Sequence, residues 1–269
     1  MPFTISHVAA VLPLSRLLAR WRLVSAVVIG SMVPDFRVFL PGHLPRVETH
    51  SATALLTFCL PVGMATYWVF QYLIKAPICS VLPEGAYARW HAYASPARIT
   101  SPAQWLRASC AVLGGAVTHL VWDAFTHEGA RGARVFPRLE EPMVEFGGHH
   151  VAGFRLMQDG SSLLGLAVVL AFICLALRPG RGPPVPSRAL SAVQRRWWVF
   201  AYGLVLVIST TAWLLWARVG EPAGHSTLST VYLVAIASLR GIATAMLAVS
   251  LALRRHLRPP QGDTPGTSV

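Results

Sequence analysis

Five polar features stand beside apolar stretches of this 269-residue chain: His7 in PFTISH, Asp35 in VPD, His50 in ETHS, the run HLVWDAFTH from His119 to His127, and His149-His150. Imidazole and carboxylate together form the usual ligand set for zinc and similar divalent ions. In the central run, His119 and Asp123 are four residues apart, so on a helix they share one face and both reach a single ion. His127 lies about 12 Å along the axis from His119, too far to share an ion held at about 2.0–2.2 Å. Either the helix ends near Thr126, as Gly129 suggests, or the run serves two ions with the Asp123 carboxylate between them. An ionisable group inside an apolar helix costs about 2.5–3.5 kcal/mol at mid-membrane, and here two share a face, which favours a functional role over a structural pair. His43, His91, His225 and His256 read instead as ordinary interfacial or hydrogen-bonded histidines.

The elements that must hold these side chains are apolar. Hydrophobic residues make up 54% of the chain and charged residues only 13%. Runs at 52–74, 104–125, 161–177, 197–217 and 229–253 each approach the roughly 20 residues that cross a hydrocarbon core. Stretches 5–19 and 23–33 are shorter, and are expected to form a helical hairpin that is short, tilted or re-entrant. The first does not read as a signal peptide, since it has neither a basic lead nor a small-residue cleavage pattern. The expected fold is therefore all-α: a polytopic helical membrane protein with about five spanning helices and a short N-terminal hairpin.

The formal charge of +12 does not point to nucleic acid, because the bases gather in loops between apolar runs rather than in a stripe with interleaved aromatics. It reads as a topology signal. Placing residues 16–22, 75–107, 178–196 and 254–258 on one side puts roughly 15 of the 23 basic residues there, and that side is expected to be cytoplasmic. Asp35, His50, His127 and His149 then fall at the opposite, extracytoplasmic face, joined by His7 if the first short helix runs inward.

Along the chain, RPGRGPPVP at 178–186 cannot continue a helix. It suggests a membrane-embedded domain with the His/Asp cluster at 1–177, a cytoplasmic linker at 178–196, a two-helix membrane hairpin at 197–253 and a disordered basic tail at 254–269. No internal repeat of the transporter kind is evident. Cys59, Cys79, Cys110 and Cys174 lack CxxC pairs and close His partners, and read as small core residues.

Other side chains have plainer roles. Ser161 and Ser162 are expected to cap a helix that begins there, since no GxSxG elbow surrounds them. Gln158 and Asp159 either support a metal ligand or belong to the same cap. Gly114-Gly115 is expected to allow close helix packing. Arg240 either snorkels or pairs with an acid. Arg131 and Arg134 read as solvated loop charges, with attraction of an anionic head group as the alternative.

The order His7, Asp35, His50, His119-xxx-Asp123, His127, then His149 or His150 resembles the ligand order of the zinc-dependent phospholipase C and single-strand nuclease superfamily. That group builds a three-metal phosphoesterase site ending in a His-xxx-carboxylate pair. Here the positions four after His149 and His150 are Gly153 and Phe154, which leaves a one- or two-metal centre. A closer resemblance is to bacterial membrane proteins of the domain-of-unknown-function family numbered 4184, and more loosely to inner-membrane metal-dependent hydrolases. PFTISHVAAVLPL, IGSMVPDF, THS, HLVWDAFTH and MQDGSSLLG carry it, over about residues 2 to 170.

These readings combine into one expectation: a metal-dependent hydrolase of the bacterial inner membrane, a phosphoesterase acting on a lipid or envelope substrate at the extracytoplasmic face. Asp35, His50, His119 and Asp123 would hold one zinc-like ion, with His7 and His127 at a second ion or the substrate; His149, His150 and Gln158 are additional candidates. The rival is a non-catalytic membrane protein, an ion or proton carrier or a scaffold, with a structural His/Asp cluster. A carrier should place its polar groups near mid-membrane on broken helices, whereas these lie near one face.

Overall fold

The computed structural model describes residues 4–40, 45–97, 99–146, 149–178, 189–219 and 227–257. His43, His225, most of the expected linker (179–188) and most of the expected tail (258–269) lie outside the described residues. Helices are named here in chain order. The short apolar helix α1 covers Thr4–Ala19 and α2 covers Val24–Met32, continuing as a 3-10 helix over Val33–Phe39. Long helices follow at Leu55–Val81 (α3), Pro102–Thr126 (α5), Gly153–Leu177 (α7), Ala192–Val219 (α8) and Thr227–His256 (α9), with short α4 (Glu84–Trp90) and α6 (Arg131–Val135) between them. Five helices are long and apolar enough to cross a membrane. Their outward faces carry large apolar side chains, Leu106, Val121, Leu163, Val207 and Leu215 among them, each more than half exposed. Such a surface suits a bilayer and is unfavourable in water.

The all-α expectation holds apart from one hairpin. Strand β1 (Pro142–Phe146) pairs antiparallel with β2 (His149–Ala152), Glu145 opposite His150, with an irregularity between Pro142 and Val144. The histidine pair therefore belongs to a strand rather than to a loop. α7 begins directly after β2, at Gly153, eight residues before the expected start. Ser161 and Ser162 consequently sit inside the helix and are not caps. Ser162 donates to the Gln158 carbonyl (2.5 Å), and Ser161 accepts from the Trp122 indole on α5 (3.0 Å).

Contacts divide the chain into two compact units, Met1–Gln71 with Pro96–Arg178, and Tyr72–Ser95 with Pro179–Val269. In the first, α5 is started by a complete capping box: the Ser101 side chain accepts from Gln104 N–H, and the Gln104 side chain accepts from Ser101 N–H, with Pro102 at the first turn. Its far end is sharp, because His127 adopts an extended conformation. The expected stop at Thr126 is met.

α2 and α5 pack with backbone nearly on backbone. A Cβ at Gly115 would collide with the Val27 carbonyl, and one at Gly30 with the Val112 carbonyl, so only glycine permits this approach. Gly114 has open space around its missing side chain, so the packing role expected of the pair belongs to Gly115 alone. Buried Ala26, Val27, Ala108, Ala111, Val112 and Ala116 complete the seam.

In the second unit α8 and α9 form an antiparallel-type pair held by Tyr202 and Ser250 (2.8 Å between hydroxyls) and by Ser209, whose hydroxyl lies 3.2 Å from the Gly241 carbonyl. Arg240 lies 4.7 Å over the Trp213 ring, an aromatic partner that the sequence reading did not foresee. Cys59 and Cys79 are buried as expected, but Cys110 and Cys174 are exposed on helix surfaces: a small apolar thiol is tolerated there as readily as in a core.

Candidate metal centre

Four separated segments bring their polar side chains to one place in the first unit. α1 supplies His7, the 3-10 segment after α2 supplies Asp35, the turn before α3 supplies His50, and α5 supplies His119 and Asp123, all buried or nearly so. Asp35 Oδ1 and Asp123 Oδ2 each face two imidazole nitrogens. His50 Nε2 is 3.4 Å from both, and His119 Nε2 is 3.7 Å from Asp35 and 3.5 Å from Asp123. A tetrahedral ion with bonds of about 2.0–2.2 Å has ligand-to-ligand edges of roughly 3.3–3.6 Å. These four distances are close to that spacing, and Asp35, His50 and His119 by themselves form a three-ligand group, with Asp123 beside two of its members.

The tautomers point the same way. His119 Nδ1 lies 2.8 Å from the Ser31 carbonyl, which can only accept, so Nδ1 carries a proton and Nε2 is the nitrogen turned to the carboxylates, a donor to them when the ring is charged and a ligand atom when it is neutral. The Gly30–Gly115 approach is what brings that carbonyl within reach. The Thr49 hydroxyl lies 3.2 Å from the Arg46 carbonyl and 2.7 Å from His50 Nδ1, which turns His50 Nε2 to the carboxylates as well. Either a proton on each Nε2 or an ion lying between them and the carboxylates makes this approach favourable. Neither nitrogen has a hydrogen-bond partner. The Thr4 hydroxyl fixes the remaining Asp35 oxygen at 2.8 Å.

A second group gathers on the other oxygen of Asp123. His7 Nε2 and His127 Nδ1 are each 3.6 Å from Oδ1, and His7, His119 and Asp123 also satisfy the spacing of a three-ligand group. His7 stacks on His119 at 3.7 Å between centroids and has no hydrogen-bond partner on either nitrogen. Its place is set by α7, where Gly165 lets Ser6 approach so closely that a Cβ would overlap it. Burial, with His119 beside it, lowers the His7 pKa to about 4, so the imidazole is neutral and able to coordinate near neutral pH. Burial likewise holds His127 below its ordinary value, against the pull of Asp123. Burial opposes the charge on Asp35, but the adjoining His50 and His119 outweigh it and keep that carboxyl below its usual range.

The structure thus places His7, Asp35, His50, His119, Asp123 and His127 together. The distance problem at His127 is resolved by the helix ending one residue earlier, which turns the imidazole back to 3.2 Å from the Asp123 carbonyl. His150 is exposed on β2, and the His149 side chain lies outside the described residues. Gln158 is buried on α7, where its carbonyl oxygen Oε1 accepts from Arg155 at 3.3 Å, and Asp159 is exposed and paired with Arg155. Missing from the sequence reading was Arg46, whose Nη2 contacts Asp123 Oδ2. The available signal was an arginine four residues before His50, on the side otherwise poor in basic residues.

The family described as a domain of unknown function, DUF4184, matches residues 1–251. The chain belongs to this family. The motifs quoted above anticipated it, and the match extends beyond them through α8 into α9. No curated protein and no solved structure matches this DUF4184 chain. The family description names no reaction, so what the buried cluster does rests on its chemistry.

Proposed function

We propose that the protein is a metal-dependent hydrolase of the phosphoesterase class, acting on a lipid or envelope phosphoester at the extracytoplasmic face of a bacterial inner membrane. The supporting observation is the buried set of Asp35, His50 and His119, which has the spacing of a three-ligand metal group, with Asp123 against both imidazoles and their Nε2 atoms without hydrogen-bond partners. A divalent ion, zinc by the nature of the donors, would supply Lewis acidity, polarising a phosphoryl oxygen and acidifying water; Asp35, His50 and His119 would hold it as three ligands, with Asp123 beside them, so that a position stays open. The protein's own groups do the rest. Ser31 and Thr49 hold two imidazoles in the coordinating tautomer, and Thr4 orients Asp35. Asp123 shares its two oxygens between the groups on either side. His127, less enclosed than the others, is placed to accept or return a proton at its Nε2, which has no partner. The sidedness rests on the distribution of basic residues, and a bacterial envelope on the family resemblance.

One observation favours the non-catalytic rival. Arg46 already offers Asp123 a positive charge, so part of the cluster is neutralised without any ion. Elemental analysis of the purified protein decides between the two, followed by assay against a panel of phosphoesters and lipids. One or two zinc-like ions per chain and metal-dependent release of phosphate or alcohol support the hydrolase; a protein that neither retains nor responds to divalent metal is the structural scaffold. A reporter fused in 178–196 should read as cytoplasmic and one in 129–148 as extracytoplasmic; the reverse moves the chemistry to the other face.

A further inference from the structure

Arg46 brings a fixed charge to the centre, and the same turn that places His50 places it. The Arg46 carbonyl accepts from the N–H of Thr49 (3.0 Å) and of His50 (2.9 Å), as well as from the Thr49 hydroxyl, so guanidinium and imidazole are carried on one rigid 3-10 turn, Arg46–Glu48. The side chain is 34% exposed, whereas those of Asp35, His50, His119 and Asp123 are between 0% and 6%. Arg46 is therefore the most exposed of the side chains that touch Asp123, and it meets Asp123 through Nη2. Its Nε is enclosed without a hydrogen-bond partner. A guanidinium has five N–H donors in a planar fork, and the contact with Asp123 uses Nη2 alone.

Charge balance says what the remaining donors face. Asp35 and Asp123 contribute two negative charges, which one divalent ion cancels. With the coordinated imidazoles neutral and the ion's water not ionised, Arg46 leaves the loaded centre one positive charge in excess. A neutral ester or amide would leave that charge uncompensated; a group bearing an anionic oxygen would complete it. The fork also suits the paired oxygens of a phosphoryl group better than a lysine would.

We propose that Arg46 receives a phosphoryl oxygen of the substrate at the His/Asp centre, making the site selective for oxyanionic over neutral esters. This rests on the metallohydrolase reading above. Arg46 binds substrate and spans from Asp123 to it, while the two carboxylates and two imidazoles hold the ion.

The test is equilibrium dialysis of radiolabelled inorganic phosphate, and in parallel of short-chain phosphatidic acid, against zinc-loaded full-length protein in a phosphate-free maltoside detergent. Metal content is measured on the same samples. Parent protein and an exposed-surface control, Arg138→Gln, should bind one or both ligands equally. Arg46→Gln should keep its zinc and weaken that binding by about tenfold or more, as loss of a charge-assisted contact does. Arg46→Lys, which keeps the charge and guards against a misfolded Gln variant, should fall between. Binding of phosphate alone identifies a soluble phosphoryl ligand, and binding of the lipid alone a membrane-borne one; either supports the assignment if it depends on Arg46. Unchanged phosphate and lipid binding in zinc-replete Arg46→Gln overturns it and leaves the metal reading standing. A parent protein that holds no zinc overturns the metallohydrolase reading and this proposal with it.

Discussion

Both units bury polar atoms among apolar helices, but they do so in different chemical forms. In the α8–α9 pair the buried polar groups are hydroxyls, each with a nearby partner: Ser209 donates to Val205 O at 2.6 Å, and Ser250 meets Tyr202. The α1–α2–α5 unit buries imidazoles and carboxylates as well, several with one side-chain nitrogen or oxygen that has no hydrogen-bond partner. A hydroxyl is easily hidden in a helix because a carbonyl of the preceding turn accepts its proton. A bare imidazole nitrogen facing a carboxylate has no such outlet, and a fold that accumulates several of them must gain something for the cost. The contrast separates polar groups that hold helices together from polar groups held in place for another purpose.

The largest expected break in that contrast is Asp123→Ala. Asp123 touches both halves of the cluster, so the variant should lose most bound metal by elemental analysis, and zinc should no longer raise its melting temperature. In the parent, zinc at a hundredfold excess over its Kd should add about 2.7 kcal/mol. Equal zinc responses in the two proteins would return the cluster to the structural category that the second unit occupies.

Next in size is Gly115→Val, which forces α5 away from the Val27 carbonyl and should cost about 1–3 kcal/mol as overpacking. Because the same approach delivers the Ser31 carbonyl to His119, metal content should fall too. A variant that is destabilised yet binds zinc normally would uncouple the seam from the centre.

Acid should act on the first unit in a smaller and graded way. In metal-free protein the folded pKa of His7, about 4, lies below its ordinary value of 6.5. Between these values the unfolded chain takes up a proton that the folded one refuses, so stability falls as pH drops through that window and levels off below it. Asp35, held below its usual 3.8, adds a further loss only under more acidic conditions. Melting temperatures from pH 7 to 4 should show the slope in the parent and a shallower one in His7→Asn. A parallel slope in both would mean that His7 is not the group refusing the proton.

The smallest effect belongs to the second unit. Ser209→Ala should cost about 0.6 kcal/mol, the average for a hydrogen bond between membrane helices, and leave metal content unchanged. Loss of metal in this variant would show that the two units are less separate in function than in chemistry.

Much of this was legible in the sequence because it is local. Apolar run length marked the five spans, the His119–Asp123 spacing marked a shared helix face, and the quoted motifs marked the family. Boundaries set by strand pairing were not legible: β2 captures His149 and hands the chain directly to α7 at Gly153, so the helix starts well before its apolar run and Ser161 loses its expected role. Nor were partners chosen by tertiary approach. Arg46 is 77 residues from Asp123 and Ser31 is 88 from His119. One-dimensional periodicity reports which face a residue takes on its own helix; it is silent about which carbonyl or carboxylate another segment presents there. Composition and spacing thus determined that the chain has five helices able to cross a membrane and carries ligand-type residues beside them. Only the close packing of α2 on α5, and of α7 on α1, decided that six of those residues share one centre, which backbone carbonyls their imidazoles meet, and that an arginine touches Asp123 there.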